Sequence, residues 1–148
     1  MTRIVTTILI RCPIEQVFEY VTTPDNWPKW HPSSRGVSGA VDHSLLPGEQ
    51  VAEEFRVAGR QGRTVWTVRA RQPPTSWTID SDGTGRGRAT IGYTLSDQAD
   101  GTLFQRELVY VLFSPLVALL DWLVLRRRVQ AESQEALRRL KAVLEADS

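Results

Sequence analysis

Cysteine, methionine and lysine are scarce in this chain. Its 148 residues include one Cys (Cys12), one Met and two Lys, against sixteen Arg. A single cysteine excludes an internal disulfide framework and a metal site built from several cysteines of one chain. HExxH motifs, paired His or Cys ligands and serine nucleophile elbows are also missing, so we expect no bound metal and no cofactor.

Runs of one charge and long apolar runs are nearly absent. The 18 basic and 17 acidic side chains give a formal net charge of +1, which argues against nucleic acid as a partner. The N-terminal apolar stretch ends at Arg11 without a cleavage site, and Leu108–Leu125 is interrupted by Ser114-Pro115 and by Asp121. The sequence therefore predicts a cytoplasmic protein with one domain, residues 1–148.

Turn residues divide the chain into a strand, two short helical segments, a series of strands and one long helix. Thr2–Arg11 is rich in β-branched residues, Pro13 begins a short helix, and Trp27 and Trp30 lie on a second brief turn. The strands that follow recur every 8–12 residues or so, which is typical of an antiparallel meander. They are predicted from Arg35 onwards and include Val51–Val57, Thr64–Ala70, Trp77–Ser81, Ala89–Leu95 and Leu103–Val111. Gly83–Gly87 reads GTGRG between two strands, which indicates a hairpin connection rather than a phosphate-binding loop.

Ser114-Pro115 forms an N-cap and N1 pair, and no Gly or Pro follows it. A helix over Pro115–Glu145 would be roughly 46 Å long, whereas a globule of this length is roughly 38 Å across. The helix must therefore cross the domain. We expect an α+β fold in which a curved antiparallel sheet of about seven strands wraps around this helix, with the two short helices closing one end.

This order of elements resembles the helix-grip fold of the START-like (SRPBCC) superfamily, in particular its polyketide cyclase/dehydrase-like branch. The motifs that carry the resemblance are PIEQVFEYVTTPDNWPKWHP (Pro13–Pro32), LPGE (Leu46–Glu49), RQPP (Arg71–Pro74), GTLFQREL (Gly101–Leu108) and ESQEALRRLKAVLE (Glu132–Glu145). Members include aromatase/cyclases, ubiquinone-binding proteins and lipid carriers, and no catalytic signature is common to them. The resemblance implies a mostly apolar cavity between the concave sheet face and the long helix.

Alternation along the strands predicts which side chains face this cavity. On Thr64–Ala70, for example, Ala70 shares the inward face with Trp66, whereas Arg71 lies on the opposite face. The apolar stripe of the helix, extended backwards at 100° per residue, reaches Leu119 and Trp122. The predicted ligand-binding residues are Trp30, Glu53, Phe55, Trp66, Val68, Ile79, Ile91, Tyr93, Arg106, Tyr110, Leu119 and Trp122.

Glu53 and Arg106 are the only charged residues predicted to face inward. A buried charge is costly unless it is paired. Three interpretations stay open: the two residues bind the polar head of a ligand, they form a closed ion pair between strands, or a register error places both outside.

Two further features lie near the presumed cavity mouth. Trp27 and Trp30 either gate the mouth or plug the end of the sheet. His31 is the default acid/base candidate, although its loop position before Pro32 indicates a solvated surface residue, and we expect the same for His43.

The first half of the long helix is also apolar on its far side, and Arg126–Arg128 follow it. This surface suits a homodimer partner, cover by residues 22–50, or a peripheral membrane contact; the first two are favoured, because little else in the chain is basic in excess.

The predicted function is the binding of a hydrophobic small molecule (aromatic, polyketide or lipid/polyprenyl-like) in an internal cavity. The alternative is an aromatase/cyclase-type enzyme acting on a polyketide-like substrate, in which Arg106 or Tyr93 polarises a carbonyl and Glu53 is the one inward general base.

Overall fold

The computed structural model of the chain describes residues 1–57, 59–83 and 87–146. The GTGRG connection predicted at Gly83–Gly87 lies partly outside these ranges. The strands are β1 (Thr2–Ile10), β2 (Ser34–Gly39), β3 (Gln50–Val57), β4 (Arg60–Gln72), β5 (Ser76–Ser81), β6 (Gly87–Gln98) and β7 (Gly101–Leu112). The helices are α1 (Ile14–Val21), α2 (Trp27–Trp30), α3 (Pro115–Leu120) and α4 (Arg126–Ala146), with a 3-10 turn at Pro24–Asn26 and a π-helical turn at Asp121–Leu125.

The seven strands form one open antiparallel sheet in the order β1-β7-β6-β5-β4-β3-β2. The long helix, made of α3, the π turn and α4, crosses the concave face of the sheet; α4 packs on β1 and α2 packs on α4. This is the predicted helix-grip fold, and its element order is confirmed.

Local sequence explains the helices on this scaffold. In α1 the buried side chains Ile14, Val17, Phe18 and Val21 recur at helical spacing, so one apolar face packs on the sheet. The long helix begins as predicted at Ser114, whose Oγ accepts a hydrogen bond from the Val117 amide at 3.5 Å.

The strand register predicted from alternation is correct across most of the sheet. Tyr93 of β6 lies opposite Trp77 of β5 and opposite Arg106 of β7, so all three share the concave face. The Trp77 and Tyr93 rings stack with their centroids 5.4 Å apart at the centre of the core.

One part of this alternation prediction is wrong. A β-bulge between Val68 and Ala70 shifts the pairing of β4 with β5, so Ala70 is exposed and Arg71 turns inward. The Arg71 guanidinium lies 5.3 Å from the Phe18 ring centroid and donates to the Ser44 hydroxyl at 3.1 Å. The extra residue of the bulge reverses the faces of the positions that follow it.

The π turn corrects a second prediction. A π turn contains more residues than an α turn, so the residues of the long helix that face inward are spaced by four: Val117, Asp121, Leu125, Val129 and Ser133. Leu119 and Trp122 instead point outward and are 54% and 61% exposed. The extrapolation at 100° per residue failed because the helix is not regular there. No helix in the described ranges is both long and apolar enough to span a membrane.

Candidate functional site

A cavity of about 510 Å³ lies between the concave sheet face and the long helix. Strands β3 to β7, the α2 region and the inner face of the helix supply its walls. Nine of the twelve predicted residues line it: Trp30, Glu53, Phe55, Trp66, Ile79, Ile91, Tyr93, Arg106 and Tyr110. Val68 is buried in the core beside the cavity, while Leu119 and Trp122 lie outside it for the reason given above.

The cavity has an open end and a closed end. Exposed side chains of the β3–β4 hairpin and β6, among them Arg60 and Arg88, line one end together with Val117 of α3. At the other end Trp27 and Trp30 are 4% and 1% exposed. The expectation that these two tryptophans lie at the mouth is therefore wrong, because α2 packs against α4 and seals this end.

Trp27 is a plug rather than a gate. Its indole N–H donates to the Val21 carbonyl at 2.9 Å, and its ring meets Trp77 edge-on with centroids 6.2 Å apart. These contacts fix the ring as part of the core.

Glu53 and Arg106 both line the cavity, and they do not form an ion pair with each other in the part of the chain that the structure describes. Arg106 is buried, and its Nη1 donates to the Ser133 hydroxyl on α4 at 3.3 Å. The Glu53 carboxylate accepts a hydrogen bond from Trp66 Nε1 at 3.0 Å. Burial raises the pKa of Glu53, partly offset by its hydrogen-bond donors and by the charge of Arg106.

His31 also lines the cavity, so the expectation of a solvated surface histidine is wrong. The residue closes the end of α2, with its amide donating to the Trp27 carbonyl at 2.8 Å, and its ring lies against Trp30. Burial, and then the charges of Arg106 and Arg139, hold the pKa of His31 well below its ordinary value. This burial depends on tertiary packing, which a loop sequence does not reveal.

The hydrogen bonds of His31 assign its tautomer. Nδ1 accepts from the backbone N–H of Ser33 at 3.2 Å, so in the neutral ring the proton is on Nε2. His43, in contrast, is exposed as expected and lies between Asp42 and Glu49, whose carboxylates are each 2.9 Å from a ring nitrogen.

Three buried N–H groups of cavity-lining residues have no acceptor on the described protein. They are Nε1 of Trp30, Nε2 of His31 and Nε of Arg106. An unpaired buried donor costs about 1–3 kcal/mol. A ligand oxygen placed among these groups would recover that free energy, so this end of the cavity is suited to an oxygen acceptor.

Tyr93 adds a proton-bearing hydroxyl to the same region. Burial raises its pKa to about 12, while Arg106 acts in the opposite direction. Its phenol is therefore neutral at physiological pH and can donate to an acceptor or receive from a donor.

Asp121 is a cavity residue that sequence analysis missed. It is buried on the π turn and accepts hydrogen bonds from the Tyr110 hydroxyl and, at 2.8 Å, from Thr2 Oγ1. A lone carboxylate within an apolar helical segment was the available signal, but regular helix geometry assigned the inward position to Trp122 instead. Within the described residues, no three His, Cys, Asp or Glu side chains form a cluster that could hold a metal ion.

Comparisons with known proteins agree with this geometry. No curated protein shows significant sequence similarity. Among similar solved structures, TTHA0849 from Thermus thermophilus has a TM-score of 0.82 at 15% identity, covering 99% of this chain and 100% of that chain. The di-domain ARO/CYC BexL from the BE-7585A biosynthetic pathway has a TM-score of 0.72 at 19% identity, over 98% of this chain and 47% of that chain. Ara h 8.0201 has a TM-score of 0.67 at 12% identity, over 98% of both chains.

At these identities the similar structures establish the fold alone. The sequence itself goes further, since residues 1–145 match the model of a family described as polyketide cyclase / dehydrase and lipid transport. With this match along almost its full length, and with a helix-grip sheet around a cavity, the chain belongs to the polyketide cyclase / dehydrase and lipid transport family.

Proposed function

We propose that the protein binds a small molecule with an apolar, aromatic or lipid-like body and an oxygen acceptor at one end. The observation that carries this proposal is the set of three buried, unpaired N–H groups on Trp30, His31 and Arg106. All three come from residues that line one cavity, and all are donors, so they favour an acceptor such as a carbonyl, carboxylate or phenolate oxygen.

The rest of the cavity suits the apolar body of such a ligand. Phe55, Trp66, Ile79, Ile91 and Leu108 supply aromatic and aliphatic walls. The volume of about 510 Å³ lies within the range of roughly 300–1,000 Å³ typical of small-molecule sites. The chain's family, which includes cyclases, dehydrases and lipid transporters, is in keeping with a ligand of this class.

Two fluorescent probes with nearly the same body test this arrangement. Anilinonaphthalene sulfonate carries an anionic acceptor, and N-phenyl-1-naphthylamine lacks it. We expect the sulfonate probe to bind more tightly, and Arg106→Met to remove most of this difference while the neutral probe still binds. A charge-assisted hydrogen bond contributes about 1.5–3 kcal/mol, so the loss should be roughly tenfold or more.

The cavity location needs its own control. Leu108→Trp, which fills the cavity without removing a donor, should weaken both probes together. Equal affinity of the two probes for the unmodified protein, or an Arg106→Met variant that keeps the preference for the sulfonate, would contradict the proposal. Mass spectrometry of the protein under native conditions would then identify any ligand that is retained through purification.

A second candidate is aromatase/cyclase activity, favoured by the carboxylate of Glu53 in the same cavity as these donors. In this reaction Glu53 takes a proton from the carbon between two carbonyls of a poly-β-ketone chain, and Arg106 stabilises the enolate oxygen. The carbanion attacks a second carbonyl carbon, forming the C–C bond, and the resulting alkoxide takes back the proton that Glu53 had removed. Loss of that hydroxyl and a neighbouring proton as water then gives the ring its double bond.

Glu53→Gln separates this activity from simple binding. The amide oxygen can still accept from Trp66, so we expect probe affinity to be kept and formation of the aromatic chromophore from a poly-β-ketone thioester to be lost. Turnover that survives Glu53→Gln would exclude Glu53 as the base, and absence of turnover in the unmodified protein would leave ligand binding as the function.

A further inference from the structure

We propose that the first half of the long helix docks on an anionic lipid bilayer, with the cavity mouth facing the membrane. This surface is separate from the polar end of the cavity. Docking rests on the proposed function in one respect only: if the cavity binds an apolar ligand, that ligand would enter from the bilayer.

The apolar part of the surface is the outer face of the helix, which we define as Leu116, Leu119, Leu120, Leu123 and Val124. These residues recur at intervals of three or four, and each is between 45% and 76% exposed. Single exposed apolar residues are common on soluble proteins, but a contiguous face of five marks an interaction surface.

Nothing in the described part of the chain covers this outer face. Cover of this face by residues 22–50 was one of the interpretations that the sequence allowed. In the structure α2, which belongs to that segment, packs on α4, and the outer face is exposed. Phe113, the residue directly after the last strand, extends the apolar surface and is also exposed. The covering partner must therefore come from outside the described chain.

Exposed arginines border the apolar surface. Arg126–Arg128 directly follow the outer face, and the Arg126 guanidinium lies 5.8 Å from the Trp122 ring centroid. At the cavity mouth, Arg88 lies 5.8 Å from the Phe113 ring centroid, and Arg60 is exposed nearby. None of these five arginines forms an ion pair with a carboxylate in the described ranges.

This charge distribution favours a membrane over a second copy of the chain. A two-fold interface packs the same patch of two copies together, so unpaired arginines would approach unpaired arginines without compensating acids. The nearest carboxylate on this helix segment, Asp121, is buried and already accepts two hydrogen bonds. Anionic headgroups supply the missing negative charge, and the acyl chains accept the apolar side chains.

The mouth of the cavity adjoins the same surface. Leu112 and Val117 line the open end of the cavity, one residue before Phe113 and one residue after Leu116, respectively. Docking of the outer face would displace the water between the bilayer and the cavity mouth. An apolar molecule would then pass from the bilayer to the cavity without crossing bulk water.

Trp122 provides a built-in probe of this contact. It is the one exposed tryptophan of five; the other four are buried. We expect the protein to associate with vesicles of equal parts phosphatidylcholine and phosphatidylglycerol, and only weakly with phosphatidylcholine alone. Trp122 emission should shift to the blue and be quenched by lipids brominated on their acyl chains, and Trp122→Phe should abolish most of the change.

The variants separate the apolar and the charged contributions. Leu119→Glu with Leu123→Glu should lower vesicle affinity at least tenfold, whereas Leu46→Glu, at a similarly exposed leucine on the turn between β2 and β3, should leave it unchanged. Each of Arg127→Gln and Arg128→Gln should weaken binding to anionic vesicles by about fivefold, with a matching loss in high salt.

Absence of vesicle binding would overturn the proposal. So would a dimer in light scattering that Leu119→Glu with Leu123→Glu converts to a monomer. The test does not depend on the cavity ligand: vesicle binding with no Arg106-dependent probe binding would retain docking and reject the proposed function, and the reverse result would reject docking alone.

Discussion

The hydroxyl of Tyr110, on the last strand, donates a hydrogen bond to the carboxylate of Asp121, at the start of the π turn. Thr2 of the first strand donates a second one. The carboxylate thereby joins both strands of one sheet edge to the helix that crosses them. Because Asp121 is buried, these two donors replace the water that a carboxylate normally binds.

Tyr110→Phe tests how much this junction stabilises the fold. The variant removes one donor from a buried carboxylate and leaves the ring in place, so we expect the free energy of unfolding to fall by about 1–3 kcal/mol. Urea denaturation measures the change. Trp122→Phe, on the exposed side of the same turn, is the matched control and should change stability by less than about 0.5 kcal/mol.

Two glycines of the sheet should respond differently to alanine. Gly101 begins β7 with a φ of 142°, and a Cβ there would lie 2.2 Å from the Ile10 carbonyl oxygen, so Gly101→Ala should cost about 1–3 kcal/mol. At Gly92 a Cβ would meet nothing closer than Thr78 Oγ1 at 4.0 Å. Gly92→Ala should therefore leave thermal stability nearly unchanged or slightly raised. Comparable melting temperatures for the two variants would contradict the requirement for glycine at position 101.

The two histidines should make opposite contributions to pH dependence. The pKa of His31 is lowered in the fold by burial. Below about pH 6.5 the unfolded chain therefore binds a proton that the folded chain does not bind, and the free energy of unfolding falls as the pH falls. The pKa of His43 is raised by Asp42 and Glu49, so its contribution is present below about pH 6.5 and is lost as the pH rises through the raised value.

Single substitutions separate these contributions. Between about pH 7.5 and pH 5, His31→Asn should lose less stability than the unmodified protein, and His43→Asn should lose more. Chemical denaturation at both pH values is the measurement. If His31→Asn showed the same acid dependence as the unmodified protein, the pKa of His31 would not be lowered in the fold, and the role of Nδ1 as a hydrogen-bond acceptor would need another basis.

Glu53 should reduce stability at neutral pH. Its pKa is raised by burial, so stability declines as the pH rises from about 4.5 through the raised value, where the unfolded chain ionises more readily. Glu53→Gln should therefore increase the melting temperature at pH 7. Glu135→Gln is a suitable comparison, because Arg138 and Arg139 lower the pKa of Glu135 and its replacement should not stabilise the protein.

Alternation was sufficient to predict most of the cavity, because a slip of one residue would have moved every apolar side chain of a strand to solvent. The two clearest failures have a common cause. The bulge after Val68 and the π turn at Asp121 each add a residue to a regular repeat, and the positions beyond change face. Such an insertion leaves the hydrophobic pattern on either side intact, so the bulge has no local sign in the sequence, and the one sign of the π turn is the lone carboxylate of Asp121 within an apolar segment.

His31 and the Glu53–Arg106 pair illustrate a different limit. Alternation predicted that Glu53 and Arg106 face inward, but it did not predict their separate hydrogen-bond partners, which are Trp66 on the neighbouring strand and Ser133 on α4. His31 is buried because α2 packs on α4, a contact between segments about a hundred residues apart. The electrostatic environment of these three side chains could therefore be determined only from the three-dimensional structure.

The pairing of β1 has a consequence for the order in which the protein folds. Every strand partner of β1 lies between Thr102 and Tyr110, and its side-chain contact to the helix comes later still, at Asp121. At a synthesis rate of about 5–20 residues per second, β7 is synthesised roughly 5–20 s after β1. During that time a segment rich in Ile, Val and Thr has no hydrogen-bonding partner of its own sheet. Within this sheet the first strand to be synthesised is thus among the last to be paired, and its pairing with β7 is the long-range step that completes the sheet.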